Sequence, residues 1–500
     1  MKSTRFQLSV EHLWGLIVLV GIFVFINTHP IRPHDFWWHI TIGREILATG
    51  NIPAIDIYSY TAVGQPYPSY QMFWLMEVFL YFIYRLGGPA LVVLVHSVLI
   101  SCAYVVIFLL CKQISKSWRV AAFGVFFAAA LGLNDWNVRP QGITFLIASL
   151  YLMAIYKYRQ NRNRLWLFVF PLGMLVWVNS HGTFLIGLVL LGIWLAQEIW
   201  EAILAWYRWE AVPKMSSTYV PASMLGISAL ACLANPRGLG IISYVKTLTS
   251  NSVVQNLVTE WAPPSFNSLM GLIFFVGLFL SLIILGLSSR RLNLFQILTL
   301  LVFGVLGVKT SRGSVWFGIV VAPILTQHLP ALLDCIKQPK QDPPRSKGSR
   351  LINTIFLFLI IGMGVFSLPW FKDYWPLPQA KAGLISAETP VQATNVLLEK
   401  RLPGHVFHAM SFGSYLIWAA YPQYQVFVDP RIELYPENVW MDYLKISNAS
   451  EDWDVMLKNY GVNTLMLSPV EQANLIQAAR ESGAWIEQYL DLAAVLFTRR

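Results

Sequence analysis

Residues 72–86, MFWLMEVFLYFIYRL, decide how the rest of the chain is threaded. The segment is apolar enough to cross a membrane, yet helical spacing puts Glu77, Tyr81, Tyr84 and Arg85 on one stripe. A polar stripe on a short aromatic helix suits a helix lying in the membrane–water interface. Whether this segment crosses sets the side of every loop that follows.

Outward from it, apolar segments of roughly spanning length fall near 11–27, 88–111, 118–133, 141–157, 165–178, 183–207, 217–234, 268–287, 292–308, 313–335 and 351–368. The first follows Lys2 and Arg5 with no small-residue cleavage site, so it reads as a retained anchor. If 72–86 lies flat and the N-terminus is cytoplasmic, Lys2, Arg5 and the loops KQISKSWR, YKYRQNRNR, YRWEAVPK, SSRR and KQPKQDPPRSKGSR together put 18 Lys/Arg inside. The outer loops then hold eight: Arg32, Arg44, Arg85, Arg139, Arg237, Lys246, Lys309 and Arg312. Were 72–86 a span, nearly every basic loop would lie outside, against the positive-inside rule. The sequence therefore predicts an all-α polytopic membrane bundle of about eleven transmembrane helices over 1–370. It has a cytoplasmic N-terminus, a long outer loop at 28–71 and an interfacial helix at 72–86. An extracytoplasmic, soluble α/β domain follows at 371–500.

Composition agrees. Of 500 residues 56% are hydrophobic and 12% charged, about half the charge of an average soluble domain, too little to cover a water-facing surface. Residues 1–370 hold 26 Lys/Arg against 12 Asp/Glu, and residues 371–500 hold 10 against 14. The basic excess sits in loops between spans, and no nucleic-acid module is present. Cys102, Cys111, Cys232 and Cys335 lie in or beside apolar segments at no metal-ligand spacing, which argues for neither a disulfide framework nor a zinc site.

In the soluble domain, VFHAM, QVFVD, NTLML and AAVLFTR read as strands, and NVLLEKR, NVWMDYLKI, SEDWDVMLKNYG and SPVEQANLIQAARESG as helices. The expectation is an α/β layer with a parallel core. VFVDPRIELY then places Asp429 and Arg431 just past a strand's C-terminal end, where open α/β sheets bind ligands; an Asp–Arg pair that only stabilises the loop is the alternative.

The unusual polar residues fall on the outer face. Loop 28–71 carries Asp35, Glu45 and Asp56 with His34 and His39, and its helical part runs from Asp35 to about Ala48, closed by Gly50. LNDWNVRPQ brings Asp135 and Arg139, NSHG brings His181, NPRG brings Arg237 ahead of Glu260–Trp261, and KTSRG brings Lys309 and Arg312. Asp35 is either the N-cap of its helix or a carboxylate base under tryptophans. The arginines either snorkel or share an anionic ligand; His181 either finishes a helix end or touches substrate. No Gly-rich phosphate loop, HExxH or nucleophile elbow occurs. Asp35, Asp56, Glu77 and Asp135 are the carboxylates available to a divalent metal, but no spacing demands one and no cofactor is called for.

A first span, an outer loop opening on an Asp beside aromatics, interfacial helices, many spans and an outer soluble domain resemble the C-type (GT-C) glycosyltransferase superfamily. The layout is most like the protein O-mannosyltransferase and aminoarabinose transferase group. HDFWWHITIGREILATGNIPAIDIYSYTAVGQPY, VRPQ, WVNSHGTFLIGL and GSYLIWAAYPQYQVFVDPRIELY also resemble a widespread bacterial group of multi-span, glycosyltransferase-like proteins. The resemblance implies a plasma-membrane enzyme that moves a sugar from a polyprenyl-phosphate donor to an envelope acceptor at the outer face. It makes Asp35 the base toward the acceptor. The family's second acid, before a proline in the outer loop after the third span, is Arg139 before Pro140 here. Either Asp135 substitutes, or Arg139 binds donor phosphate, or the chemistry differs. Arg237 and Arg312 are further phosphate-ligand candidates, and His39, Glu77 and His181 are substrate-binding candidates. The competing functions are a non-catalytic GT-C-like membrane protein in envelope assembly or lipid handling, and a transporter. The transporter is disfavoured because the spans carry almost no charge and no inverted repeat is evident.

Overall fold

The structure, a computed structural model of the chain, describes residues 8–209, 216–250, 261–336, 349–374, 377–378 and 381–500. Lys2, Arg5, Lys214, Glu260 and most of the basic loop 337–350, all weighed above, lie outside the described residues.

A helix occupies each of the eleven apolar segments, from α1 (Val10–Asn27) to Arg350–Phe366. Among the described residues six helices are long and apolar enough to cross a membrane, and three further apolar helices are shorter. Their outward faces are greasy: Val276 is 56% exposed on helix Leu269–Leu287, and Phe358 is 69% exposed on Arg350–Phe366. Contiguous apolar surface on that scale is at home in lipid, not water. This is an integral membrane protein.

The 72–86 segment is the first half of one long helix, α3 (Tyr70–Ser115), bent at Gly87 and Gly88 just before Pro89. Gly88 takes φ +60°, a left-handed conformation that favours glycine. Both sides of the bend stay at one end of the bundle. Leu75 N–H donates to the Asn179 carbonyl at 3.1 Å, and His96 Nε2 lies 3.0 Å from the Trp136 carbonyl. Only at its far end does α3 reach the opposite side, where Gln113 meets Gln160. The stripe of Glu77, Tyr81 and Tyr84 is turned into the protein. Glu77 is buried against α2 (Phe36–Thr49), and Tyr81 and Tyr84 pack on Trp418. Helix α2 ends as its sequence requires, with Gly50 left-handed at φ +71°. It crosses α3 so closely that a Cβ on Gly43 would sit 2.1 Å from the Glu77 carbonyl oxygen.

The C-terminal sheet is mixed, not parallel-cored. β1 (His405–His408) pairs parallel with β2 (Val462–Leu467), which pairs antiparallel with β4 (Val495–Arg499), itself antiparallel to β3 (Trp485–Leu490). QVFVD is not a strand of this sheet. It forms a single parallel bridge, Val426 to Ser59, with the outer loop. Val426, Phe427, Val428 and Asp429 are all buried because the segment runs in the core shared with that loop, and a short apolar run does not by itself tell such a segment from a buried strand. β3 was missed because Glu487, Gln488 and Tyr489 make an exposed edge with little apolar alternation.

Loop 28–71 and the C-terminal unit share one apolar core. Trp38, Ile42, Tyr58, Tyr67 and Tyr70 pack with Phe412, Val426, Phe427, Val428 and Tyr435. At its centre Arg431 is fully buried. Nη1 binds Asp56 Oδ1 at 2.6 Å, Nη2 binds Asp429 Oδ2 at 2.6 Å and Nε binds Asp429 Oδ1 at 2.8 Å. Nη1 also donates to the Tyr70 hydroxyl, and Tyr435 donates to Asp429. Burial alone would push the Asp429 carboxyl up, but the Arg431 charge and hydrogen bonds from Arg431 and Tyr435 outweigh it and hold the group below its ordinary value. Asp429 and Arg431 therefore brace loop against domain and do not present a ligand site at a strand end.

Candidate active site

Asp35 occupies the N-cap position of α2, but its side chain makes no capping hydrogen bond. It reaches across instead to Arg139, with Oδ2 2.7 Å from Nε. Arg139 is placed by the turn before Pro140, where the chain starts helix Gly142–Asn161. The pair opens onto a cavity of about 110 Å³. Its lining comes from six separated stretches: Asp35, Trp38 and His39; Tyr67 and Phe73; Arg139, Pro140 and Gln141; His181; Arg312; and Pro430 with Glu433 from the C-terminal unit.

Of the residues singled out in the sequence, Asp35, His39, Arg139, His181 and Arg312 meet here. Glu77 stands one layer behind, its Oε1 2.9 Å from His39 Nδ1. Asp135 is buried in the turn Leu133–Asp135 and does not line the cavity. Arg237 does not line it either; its guanidinium folds onto the Gly240 carbonyl at 3.3 Å and over the Tyr244 ring. Among the described residues no group of three or more His, Cys, Asp and Glu is placed to hold a metal ion. Asp35, Asp56 and Glu77 are drawn apart to Arg139, Arg431 and His39.

Trp38, Gln141 and Glu433 are the additions. Trp38 Nε1 and Gln141 Nε2 are buried N–H donors with no protein partner among the described residues. Such donors are rare in a native interior and cost about 1–3 kcal/mol each if left so. Gln141 closes the motif VRPQ two residues after Arg139, and that motif is its sequence signal. Glu433 is held by Tyr67 Oη and Ser69 Oγ, each donating to Oε1 at 2.9 Å. It came from more than 360 residues away in sequence, and no local signal points to it.

The two histidines are uncharged near neutral pH. Burial, then the charges around it (His181, Arg139, Arg431), push His39 well below its usual range. Burial, then Arg312 and Arg139, push His181 down to about 3. His181 Nδ1 accepts the Thr183 backbone N–H at 3.2 Å, so its proton sits on Nε2. The cavity thus presents two guanidinium groups, several neutral N–H donors and two carboxylates. A larger groove of about 510 Å³, lined by Pro89, Pro369, Trp370, Asp373, Leu384 and Ile385, has no cation in its lining and does not offer this chemistry.

No family model and no curated protein matches the sequence. Solved structures do match along almost the whole chain. The archaeal oligosaccharyltransferase AglB from Archaeoglobus fulgidus, solved with an inhibitory peptide and a dolichol-phosphate, aligns at TM-score 0.55 and 11% identity over 98% of this chain and 74% of its own. ArnT from Cupriavidus metallidurans bound to undecaprenyl phosphate aligns at 0.52 and 13% identity over 97% of each chain. The arabinofuranosyltransferase AftD from Mycobacteria aligns at 0.50 and 12% identity over 97% of this chain and 40% of its own. With spans, outer loop and C-terminal unit all superposed on these proteins, the chain has the GT-C fold of membrane glycosyltransferases.

Proposed function

We propose that the chain is a glycosyltransferase that moves a sugar from a polyprenyl-phosphate donor to an envelope acceptor, at the extracytoplasmic face of a bacterial plasma membrane. The observation that carries this is the meeting of cations and N–H donors at the cavity. Arg139, Arg312, Trp38 Nε1 and Gln141 Nε2 converge there beside the carboxylate of Asp35. A departing phosphate needs fixed cations and donors, and the attacking hydroxyl needs a carboxylate within hydrogen-bond reach. That AglB and ArnT, which share the fold, were solved with lipid phosphates supports the choice of donor class.

In this mechanism Arg139 has two partners in turn. Before substrate it holds Asp35; when phosphate arrives, the guanidinium fork turns to the better bidentate anion. Asp35 is then released toward the acceptor hydroxyl and takes its proton as the new glycosidic bond forms. Trp38 and Phe73 give the sugar an apolar wall, and Glu433 offers it a hydrogen-bonding edge.

The proposal includes eleven crossings by residues 1–370 with the N-terminus cytoplasmic, and residues 371–500 outside. Cysteines introduced at Gln160 and Lys400, both exposed, should label from opposite sides of sealed vesicles; labelling from the same side would overturn this topology. The activity is tested with purified protein and a panel of polyprenyl-phosphate sugars. Release of polyprenyl phosphate by wild type and not by Asp35→Asn is expected. A panel untouched by both, with lipid phosphate failing to bind, would leave the non-catalytic alternative in its place.

A further inference from the structure

His39 and Glu77 form a couple that the mechanism above leaves idle. Glu77 comes from α3 and is completely buried; Oε1 meets His39 Nδ1 at 2.9 Å, and Oε2 has no hydrogen-bond partner among the described residues. An ionised carboxylate with a bare buried oxygen would be far costlier than a neutral acid whose carbonyl oxygen goes unpaired. The geometry thus fits Glu77 as a carboxylic acid donating its proton to Nδ1. The histidine tautomer follows, because a ring whose Nδ1 accepts must carry its own proton on Nε2. His39 lines the cavity, and Nε2 is the nitrogen Glu77 leaves for it. The charged and titratable groups acting on His39 are His181, Arg139 and Arg431, which all oppose a positive charge on the ring. Arg431 also acts on Glu77.

We propose that Glu77 and His39 are a proton relay that protonates the departing lipid phosphate; this rests on the transferase function proposed above. As the sugar C1–O bond to phosphate breaks, the phosphate oxygen takes the proton from His39 Nε2. The Glu77 proton moves to Nδ1, which leaves the ring neutral and Glu77 ionised. The acceptor oxygen bonds to C1 and its proton passes to Asp35. The step conserves charge, and the relay is reset when the proton held on Asp35 returns through solvent after product release. Asp35 then acts only on the acceptor and His39 only on the donor phosphate, one residue for each proton transfer.

Infrared spectroscopy of the purified full-length protein with undecaprenyl phosphate as probe tests this. Wild type should show a neutral-carboxyl C=O band that is missing in Glu77→Gln and that bleaches when the lipid phosphate binds, as the proton passes to the anion. Glu77→Gln, which keeps a donor to Nδ1 and hence the tautomer but has no proton to pass, should bind the probe no more tightly than wild type and transfer sugar at least tenfold more slowly. If that variant does not fold, ¹⁵N spectra of histidine in wild type must still show His39 protonated on Nε2. Probe binding that leaves the band intact, a Glu77→Gln variant as fast as wild type, or an Nδ1–H tautomer would each overturn the relay while leaving the transferase standing. Failure of the probe to bind at all would overturn the polyprenyl-phosphate donor and the relay with it.

Discussion

Asp35 with Arg139, and Asp56 and Asp429 with Arg431, are two assemblies of the same residue types anchored in the same outer loop. In the first, the side chains keep 19% and 15% of their surface exposed and open onto a cavity; in the second, all three keep none. Arg139 holds the Asp35 carboxylate at the edge of the cavity that it lines. Arg431 has carboxylates on two sides, the Tyr70 hydroxyl beside them and the rings of Tyr58 and Tyr67 within 5.6 Å, so nothing is left to trade. The difference teaches that an aspartate–arginine motif is assigned by what surrounds it. A fully satisfied buried ion pair is a brace, and a partly exposed one at a cavity beside the unpartnered Trp38 and Gln141 donors is a candidate site.

The comparison breaks first at Asp35. Asp35→Asn should lower sugar transfer by about 10²–10⁴-fold, the usual worth of a general base, with the melting temperature in detergent nearly unchanged; equal loss of stability would make Asp35 a brace as well. Next, Arg431→Ala should cost roughly 3–5 kcal/mol of stability because it strands Asp56 and Asp429 in the interior. Thermal unfolding measures this, and a variant as stable as wild type would deny the brace. Arg139→Lys keeps the charge and loses the fork, so it should weaken donor binding by about 10- to 100-fold, the loss of one charge-assisted hydrogen bond, with no shift in melting.

The smallest effect is with pH, and it separates the two assemblies by window. The folded values of His39 and His181 lie below the ordinary 6.5. The unfolded chain therefore takes up protons first, and stability falls as pH drops below about 6.5, continuing toward 3 for His181. Asp429 is held below its ordinary 3.8, so its contribution stays intact above about 4 and fades only as pH falls beyond that. Melting curves from pH 7 to 5 should therefore decline through the histidines held below 6.5, His29 and His408 as well as the cavity pair, and His181→Asn should lessen the decline. A decline unaltered by that change would mean that other groups control it.

The cavity side of this contrast was legible in the sequence, and of the braced side the Asp429–Arg431 pair was legible as a loop brace but the part of Asp56 in it was not. Asp35 under aromatics, Arg139 before Pro140, His181 and Arg312 all stand at the ends of strongly apolar segments, and burial physics confines such ends to the bundle's faces. What escaped were relations between distant stretches. QVFVD reads as an apolar run like a buried strand because it lies in the core shared with loop 28–71, and Glu433 at the cavity is held by Tyr67 and Ser69. Arg237 shows the opposite failure: a basic residue at the right end of the bundle satisfied itself on the next turn of its own chain.

The Asp56–Arg431 contact joins residues 375 positions apart, which gives the protein a schedule. At roughly 5–20 residues per second, the ribosome needs about 20–75 s after making the outer loop to supply the arginine that seats it. Throughout that interval the loop already carries Asp35, Trp38 and His39, while Glu433 and the rest of its wall have yet to be made. The nascent chain is thus committed to the membrane long before its cavity has its full lining, and a ribosome that stalls anywhere before Arg431 releases an inserted bundle with that wall unbuilt.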